Sequence, residues 1–463
     1  MNNFASTIAA ISTPPGKGGV AIIRISGARA LEIAEKMFIP KSKKALSSVP
    51  ARVQVFGDIL YSGDVIDDGL ATLFRAPHSF TGEDTVEISC HGGILITEKV
   101  LESAFLSGAV PAGAGEFTRR AFINGKLSLT EAEAVGNLLS AESEEQLKLA
   151  SCGSLGRLSS RINGIRTSLV SLLSSIYARI DYPDEELGDF SDSETEKMLS
   201  DILLDMEGLL STYKTGKAVS EGVKTVICGK PNVGKSSLYN MLLERDAAIV
   251  TDIEGTTRDV LTEKISLGRV MLLLSDTAGI RRREDIDFVE KIGIERSLSN
   301  IKEAELILAV FDGSKPLDSE DKLLIESVSE RECAKIAVIN KSDLGLKISR
   351  DDFTLFDGVI VISAKEDGGE GKKTLVSAVE KLFTDEKIVT GRDAIIFSAR
   401  QNSNLLNAVN LTRSAIDALR MGISCDAVSS DIERALGSIA ELDGRAVSEE
   451  VVADIFSKFC VGK

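Results

Sequence analysis

The 463-residue sequence has no tryptophan and only 5% aromatic residues, which argues against a carbohydrate cleft or an aromatic platform for nucleic-acid bases. Its two histidines and six cysteines (Cys90, Cys152, Cys228, Cys333, Cys425 and Cys460) form no CxxC pair, so neither a zinc site nor a disulfide framework is expected. No apolar run approaches the ~18 residues that span a bilayer, so no membrane association is expected. The N-terminus lacks a basic leader and runs into Pro14-Pro15-Gly16-Lys17-Gly18-Gly19. A reduced, soluble, cytoplasmic protein is the expectation. Positive charge is also in deficit: 54 Lys and Arg against 70 Asp and Glu give a net charge of −16. Such a chain cannot hold RNA by its overall field. An RNA partner must meet a local basic patch or arrive through another protein.

What is present is a core-forming composition, 43% hydrophobic, at a length that suggests roughly three domains of ~150 residues. Residues 1–124 mix short β-rich runs (Val20 to Ile25, Val86 to Ser89) with Gly and Pro punctuation, the texture of a compact α+β domain. Its first 56 residues carry eight Lys/Arg against two acidic residues, a candidate anion-binding face or a solvated basic edge. From 125 the texture becomes helical. Leu155, Leu158, Ile162, Ile165, Leu169, Leu172 and Ile176 alternate at spacings of three and four, the seam of a long packed helix. The stretch from Asp181 to Glu207 holds eleven carboxylates and one Lys and reads as a solvated face or loop.

Between 218 and 382 the pattern switches to apolar strands separated by helix-length segments: Val223 to Cys228, Val270 to Ser275, Leu306 to Phe311, Ile336 to Ile339 and Gly358 to Ile362. This is the signature of a doubly wound, mostly parallel sheet. Residues 383–463 return to helix. The fold class expected is therefore multidomain: an N-terminal α+β domain (1–124), a helical domain in two pieces (125–217 and 383–463), and an α/β domain (218–382) inserted between them.

Gly229-Lys230-Pro231-Asn232-Val233-Gly234-Lys235-Ser236 fits GxxxxGK[ST] and lies between a strand and a helix that opens with Ser237. Its glycines let backbone N–H groups wrap phosphates, Lys235 offers a point charge to the β- and γ-phosphates, and Ser236 can ligate Mg2+. Three further elements follow in the order of a GTPase. Asp276-Thr277-Ala278-Gly279 closes a strand, so Asp276 can reach the Mg2+ shell and Gly279 the γ-phosphate. Asn340-Lys341-Ser342-Asp343 supplies a carboxylate that accepts two hydrogen bonds from guanine, and Ser363-Ala364-Lys365 supports the base. Thr251-Asp252-Ile253-Glu254-Gly255-Thr256-Thr257 contributes a switch threonine for Mg2+. Where a water-positioning Gln often follows the glycine, this chain has Ile280, so another group must act: Glu284, Asp285, Asp287 or Glu290, with Arg258 or Arg281 to neutralise charge.

These residues resemble one family, the tRNA-modifying GTPase MnmE (TrmE). The resemblance runs through Thr13 to Gly19, Arg24-Ile25-Ser26-Gly27, Phe80-Thr81-Gly82-Glu83-Asp84, Cys90-His91-Gly92-Gly93, Gly115 to Phe122, Asn124-Gly125-Lys126-Leu127 and the tail Phe459-Cys460-Val461-Gly462-Lys463. Val461 and Glu254 depart slightly from the family pattern. The resemblance implies a Ras-like P-loop GTPase domain inserted in a helical domain, behind an N-terminal folate-binding domain that forms a homodimer. It implies that the chain works with an MnmG (GidA)-like flavoprotein, which alone carries FAD. Together they would add a carboxymethylaminomethyl or aminomethyl group to C5 of wobble uridines in certain tRNAs. The one-carbon unit would come from a tetrahydrofolate derivative (5-formyl- or 5,10-methylene-tetrahydrofolate).

By match of motif, Arg24, Glu83, Lys126 and Lys463 would contact the folate, K+ would bind Asn232, Thr251, Ile253 and Thr256, and Glu290 would position the water. Cys460 is either a participant in modification or a small apolar plug. His91 reads as a turn or packing residue rather than a catalytic base. The competing class, a ribosome-assembly or regulatory GTPase switch, needs neither the N-terminal phrases nor the Cys-x-Gly-Lys tail.

Overall fold

The computed structural model describes residues 6–181, 192–243, 263–274, 303–365 and 369–462. The chain divides into two compact units, Met1–Gly136 with Ala440–Lys463, and Asn137–Ile439.

The first unit is built on a seven-stranded sheet of β1 (Ile8–Ile11), β2 (Gly18–Ser26), β3 (Phe38–Pro40), β4 (Gln54–Tyr61), β5 (Asp64–Phe74), β6 (Thr85–Gly92) and β7 (Val110–Pro111), in the order β3-β4-β5-β6-β2-β1-β7. Neighbours are antiparallel except β1 with β7. Period-two alternation sends Ala21, Ile23 and Ile25 of β2 and Val86, Ile88 and Cys90 of β6 into one core, with Ile33, Met37 and Val100 from the helices Ala30–Met37 and Ile94–Leu106. The intervening residues, Arg24 and Glu87 among them, pair across the strands on the opposite face.

The C-terminal segment belongs to this same unit. The helix Glu449–Ser457 sets Val452 and Phe456 against Leu129 and Ala132, and the Phe456 ring lies 6.3 Å from that of Phe122. Beyond it Val461 bridges to Ala114, and Ser12 Oγ donates to the Gly462 carbonyl at 3.2 Å. Only glycine fits at 462: its φ is +98°, and a Cβ would lie 2.1 Å from the Ile11 carbonyl oxygen. Thus residues 450 positions apart in sequence are joined.

In the second unit the helix Arg157–Asp181 buries Leu158, Ile162, Ile165, Leu169, Leu172 and Ile176, as the seam predicts. Leu155 falls outside it, 76% exposed, because the chain turns at Gly156 before the helix begins. The acidic stretch is helical from Asp192 to Leu210, with Leu199, Ile202, Met206 and Leu209 buried. Asp192, Glu194, Glu196, Asp201, Asp205 and Glu207 therefore occupy the solvent-facing side of an amphipathic helix, and residues 182–191 of the stretch lie outside the described residues.

The second sheet comprises β8 (Val223–Cys228), β9 (Glu263–Leu267), β10 (Val270–Leu274), β11 (Leu306–Asp312), β12 (Ala334–Asn340) and β13 (Gly358–Val361), ordered β13-β12-β11-β8-β10-β9. All pairs are parallel except the edge strand β9, which runs antiparallel to β10 and was not among the strands expected. Strand β11 shows why the sheet is covered on both faces. Leu306, Leu308 and Val310 enter one cluster with Leu238 and Leu375, while Ile307, Ala309 and Phe311 enter another with Ile339 and Phe353.

Candidate functional sites

Strand β8 ends at Cys228, and the chain turns into the helix Lys235–Leu243. Asn232 (φ +63°) and Gly234 (φ +102°) take left-handed conformations, the kind of turn whose N–H groups form an anion-binding concavity. At Gly234 a Cβ would lie 2.0 Å from Asn340 Nδ2. Lys235 Nζ donates to the carbonyl oxygens of Gly229 and Lys230, each at 2.7 Å, which holds the ammonium over the loop. Lys230 itself is drawn aside to Asp318 and to Asp321, the latter at 2.8 Å.

Asn340 organises the rest. It is 3% exposed at the end of β12, donates from Nδ2 to the Val233 carbonyl at 2.9 Å, and accepts from the Ala364 N–H at 3.0 Å. One side chain thereby ties the phosphate loop to Ser363-Ala364-Lys365. Lys341, at φ +62°, pairs with Asp312 at 2.6 Å. Burial pushes the Asp312 carboxyl up, but Lys341 and Ser314 outweigh it and hold the group below the usual range. Asp343 stands exposed in the short turn Ser342–Leu344. Among the described residues, Ser363 Oγ is buried with no hydrogen-bond partner. Val233, Ser236, Ser237, Asn340, Asp343 and Ala364 all lie just beyond the carboxyl ends of β8, β12 and β13, where a doubly wound sheet binds its ligand. Thr251 to Thr257, Arg258, Asp276 to Gly279, Arg281, Glu284, Asp285, Asp287 and Glu290 lie outside the described residues.

The N-terminal site is built differently. Arg24 pairs through Nε with Glu87 at 2.9 Å, and its guanidinium carbon is 5.6 Å from the ring centres of both Phe80 and Phe117. Glu83 accepts from Ser26 Oγ at 2.8 Å and from Arg120 Nη1 at 3.2 Å to each oxygen. Lys126 Nζ donates to the Pro77 carbonyl at 2.9 Å, and its stem lies against Gly82, beside Glu83. The exposed Cys460 accepts through its carbonyl from the Gly115 N–H at 3.4 Å, next to Glu116. Lys463 lies outside the described residues. These side chains offer a carboxylate acceptor, a guanidinium 5.6 Å from two aromatic ring centres, and a half-exposed Phe80. That set fits a ligand carrying amine donors, flat rings and carboxylates, as a folate does.

The family described as GTP-binding protein TrmE N-terminus matches residues 7–126, and the MnmE helical domain matches residues 129–460. The tRNA modification GTPase MnmE of Carboxydothermus hydrogenoformans is 40% identical over 99% of this chain and 99% of its own. That of Thermotoga maritima is 40% identical over 99% of this chain and all of its own. The chain belongs to the MnmE family. Among solved structures, Era in complex with MgGDPNP and nucleotides 1506–1542 of 16S ribosomal RNA is similar at a TM-score of 0.27 and 21% identity. That likeness covers 41% of this chain and 66% of the other.

Of the two alternatives read for His91, turn or packing residue, the second is excluded: its side chain is 71% exposed at the end of β6, where its carbonyl accepts from the Gly93 N–H, and its Nδ1 sits 2.7 Å from Asp67 Oδ1. Another residue of this MnmE-family chain escaped the sequence reading. Arg120 is 0% exposed and grips two carboxylates. Its signal was in the sequence, because Phe117, Arg120 and Ala121 share the buried face of one helix and an arginine there needs a partner.

Proposed function

We propose that the chain hydrolyses GTP in a K+-dependent manner. With an MnmG (GidA)-like flavoprotein, it then installs a carboxymethylaminomethyl or aminomethyl group on C5 of the wobble uridine of certain tRNAs. That the chain is a GTP hydrolase acting in tRNA modification follows from its membership of the MnmE family. The observation that best supports the nucleotide site is the Asn340 bridge, which joins phosphate loop and base loop into one receptor. In it Lys235 would neutralise the phosphates, Ser236 with Thr257 would hold Mg2+, and Asp343 would read guanine. Asn232, Thr251, Ile253 and Thr256 would hold K+, and Glu290 would orient the attacking water. When bound, K+ supplies the positive charge that an arginine finger gives elsewhere.

The N-terminal unit would bind a tetrahydrofolate derivative through Arg24, Glu83, Lys126 and Lys463. When bound, the folate would supply a one-carbon unit, and Cys460 would lie near it. The segment limits 1–124, 125–217, 218–382 and 383–463, a homodimeric state and a cytoplasmic location belong to the same proposal. Among the described residues no helix is long and apolar enough to cross a membrane.

The decisive experiment is mass spectrometry of tRNA nucleosides from a strain lacking the protein, complemented with wild type, Lys235→Ala or Cys460→Ser. Loss of C5-modified wobble uridines, restored by wild type alone, is expected. An unchanged profile on deletion would remove the modification role. GTPase rates in KCl and NaCl at equal ionic strength test the cation: a large excess in KCl is expected, and equal rates would defeat the K+ assignment.

A further inference from the structure

Arg120 is the largest side chain with no exposure in the described structure, and it lies in a position where an apolar residue would be cheaper. Taking a guanidinium out of water costs several kcal/mol unless every donor is used. Here the donors are used with direction. Nη1 reaches both Glu83 oxygens at 3.2 Å and the Ser6 carbonyl at 2.9 Å. Nη2 reaches Glu116 Oε1 at 2.7 Å, while Glu116 Oε2 accepts from the Gly113 N–H at 2.7 Å. One cation therefore serves two carboxylates, whose side chains are 15% and 23% exposed. The fork of Nε and Nη2 closes on Glu116 Oε1, at 3.3 and 2.7 Å, which fixes the guanidinium plane, and the remaining Nη1 then sits equidistant from the two oxygens of Glu83.

The charge count is the second strand of the argument. The cluster of Glu83, Glu116 and Arg120 carries a formal charge of −1, and Glu83 is bonded to Ser26, two residues along β2 from Arg24, whose guanidinium carbon lies 5.6 Å from the Phe80 ring centre. Glu83 is thus kept as an aimed acceptor. Residues Gly113 to Glu116 also receive the C-terminal tail, through Gly115 N–H to Cys460 O and the bridge from Ala114 to Val461. We infer that Arg120 is a positioning residue for the folate-type ligand: it touches no ligand itself, and it orients the Glu83 carboxylate toward the ligand's amine donors. This inference rests on the folate reading of the N-terminal unit.

The test is a double-mutant cycle on the full-length chain, with 5-formyltetrahydrofolate affinity read by calorimetry and thermal unfolding read in parallel. Arg120→Lys should weaken binding at least ~10-fold in the wild-type background and less than ~2-fold in the Glu83→Gln background. Arg120→Gln, which cannot pair ionically, should behave alike and stands in if the Lys variant does not fold. A merely structural arginine would lower affinity by the same factor in both backgrounds, which would overturn the inference. Undiminished binding by Arg120→Lys would also overturn it. If wild type does not bind the folate at all, the folate reading fails and takes this inference with it. That result is distinct from binding without coupling.

Discussion

The two candidate sites of this chain are built from different materials. The nucleotide pocket in the second unit is made of loop backbone at strand ends, with Gly234 and Asn340 in such close contact that no Cβ fits between them. The pocket in the first unit is made of side chains standing on a sheet and a helix, held by ion pairs from Arg24 to Glu87 and Arg120 to Glu83. A backbone receptor is specified by a few consecutive residues that permit one turn. A side-chain receptor is specified by charges that meet only after folding.

That contrast explains what could be read in advance. The run from Gly229 to Ser236 is contiguous, so its chemistry was legible, and strands β8 and β10 to β13 announced themselves as apolar runs of the right length. Strand β9 was missed because only Ile265 and Leu267 are buried in five residues, too short an alternation to stand out. Glu83 and Arg120 are 37 positions apart, and Ser12 and Gly462 are 450 apart. Nothing in local periodicity reports such pairings. The Asn340 bridge to Val233, 107 positions away, was likewise invisible, although both ends sit in motifs that were recognised.

The strongest blow to the comparison is Gly234→Ala. The methyl group would need space that Asn340 Nδ2 occupies at 2.0 Å, in a backbone at φ +102°. GTP affinity should fall about 100-fold, ~3 kcal/mol, while folate affinity stays unchanged. Calorimetric titration of both ligands reads it, and near-normal GTP affinity would mean that the loop is not shaped by glycine. Arg24→Ala is the mirror experiment. It removes a guanidinium that reaches two aromatic rings and takes from Glu87 its ionic partner, so folate affinity should fall about 30-fold, ~2 kcal/mol, with GTP binding intact.

A smaller effect asks whether side-chain charge matters even in the backbone-built site. Lys230→Ala leaves the mostly buried Asp321 carboxylate with the Asp318 N–H but without its cation, and frees the phosphate loop from the helix Ser319–Ser329. Burial alone would lower the Lys230 pKa, but Asp318 and Asp321 raise it instead, a sign that the pair is attractive on balance. GTP affinity should fall about 5-fold, ~1 kcal/mol, with a matching drop in unfolding temperature. An unchanged affinity with a lowered unfolding temperature would confine this pair to stability and make the contrast between the two sites sharper.

The weakest contribution should come from the exposed pair in the first unit. Asp67 accepts from His91 twice, at the ring Nδ1 (2.7 Å) and at the backbone N–H (2.9 Å). The hydrogen bond to Asp67, then its charge, raises the imidazole pKa above its ordinary 6.5. A pKa raised by folding stabilises the fold fully below the unfolded value and ceases to do so as pH climbs through the folded value. The difference in unfolding temperature between wild type and Asp67→Asn should therefore be largest near about pH 5.5 and shrink toward about pH 9. It should not vanish, because the backbone N–H bond does not titrate. It should also shrink in high salt, as a pair whose cation stands in solvent is screened more than the grip of the fully buried Arg120 on Glu83. A difference that stays constant with pH would leave the backbone bond as the whole of what Asp67 supplies.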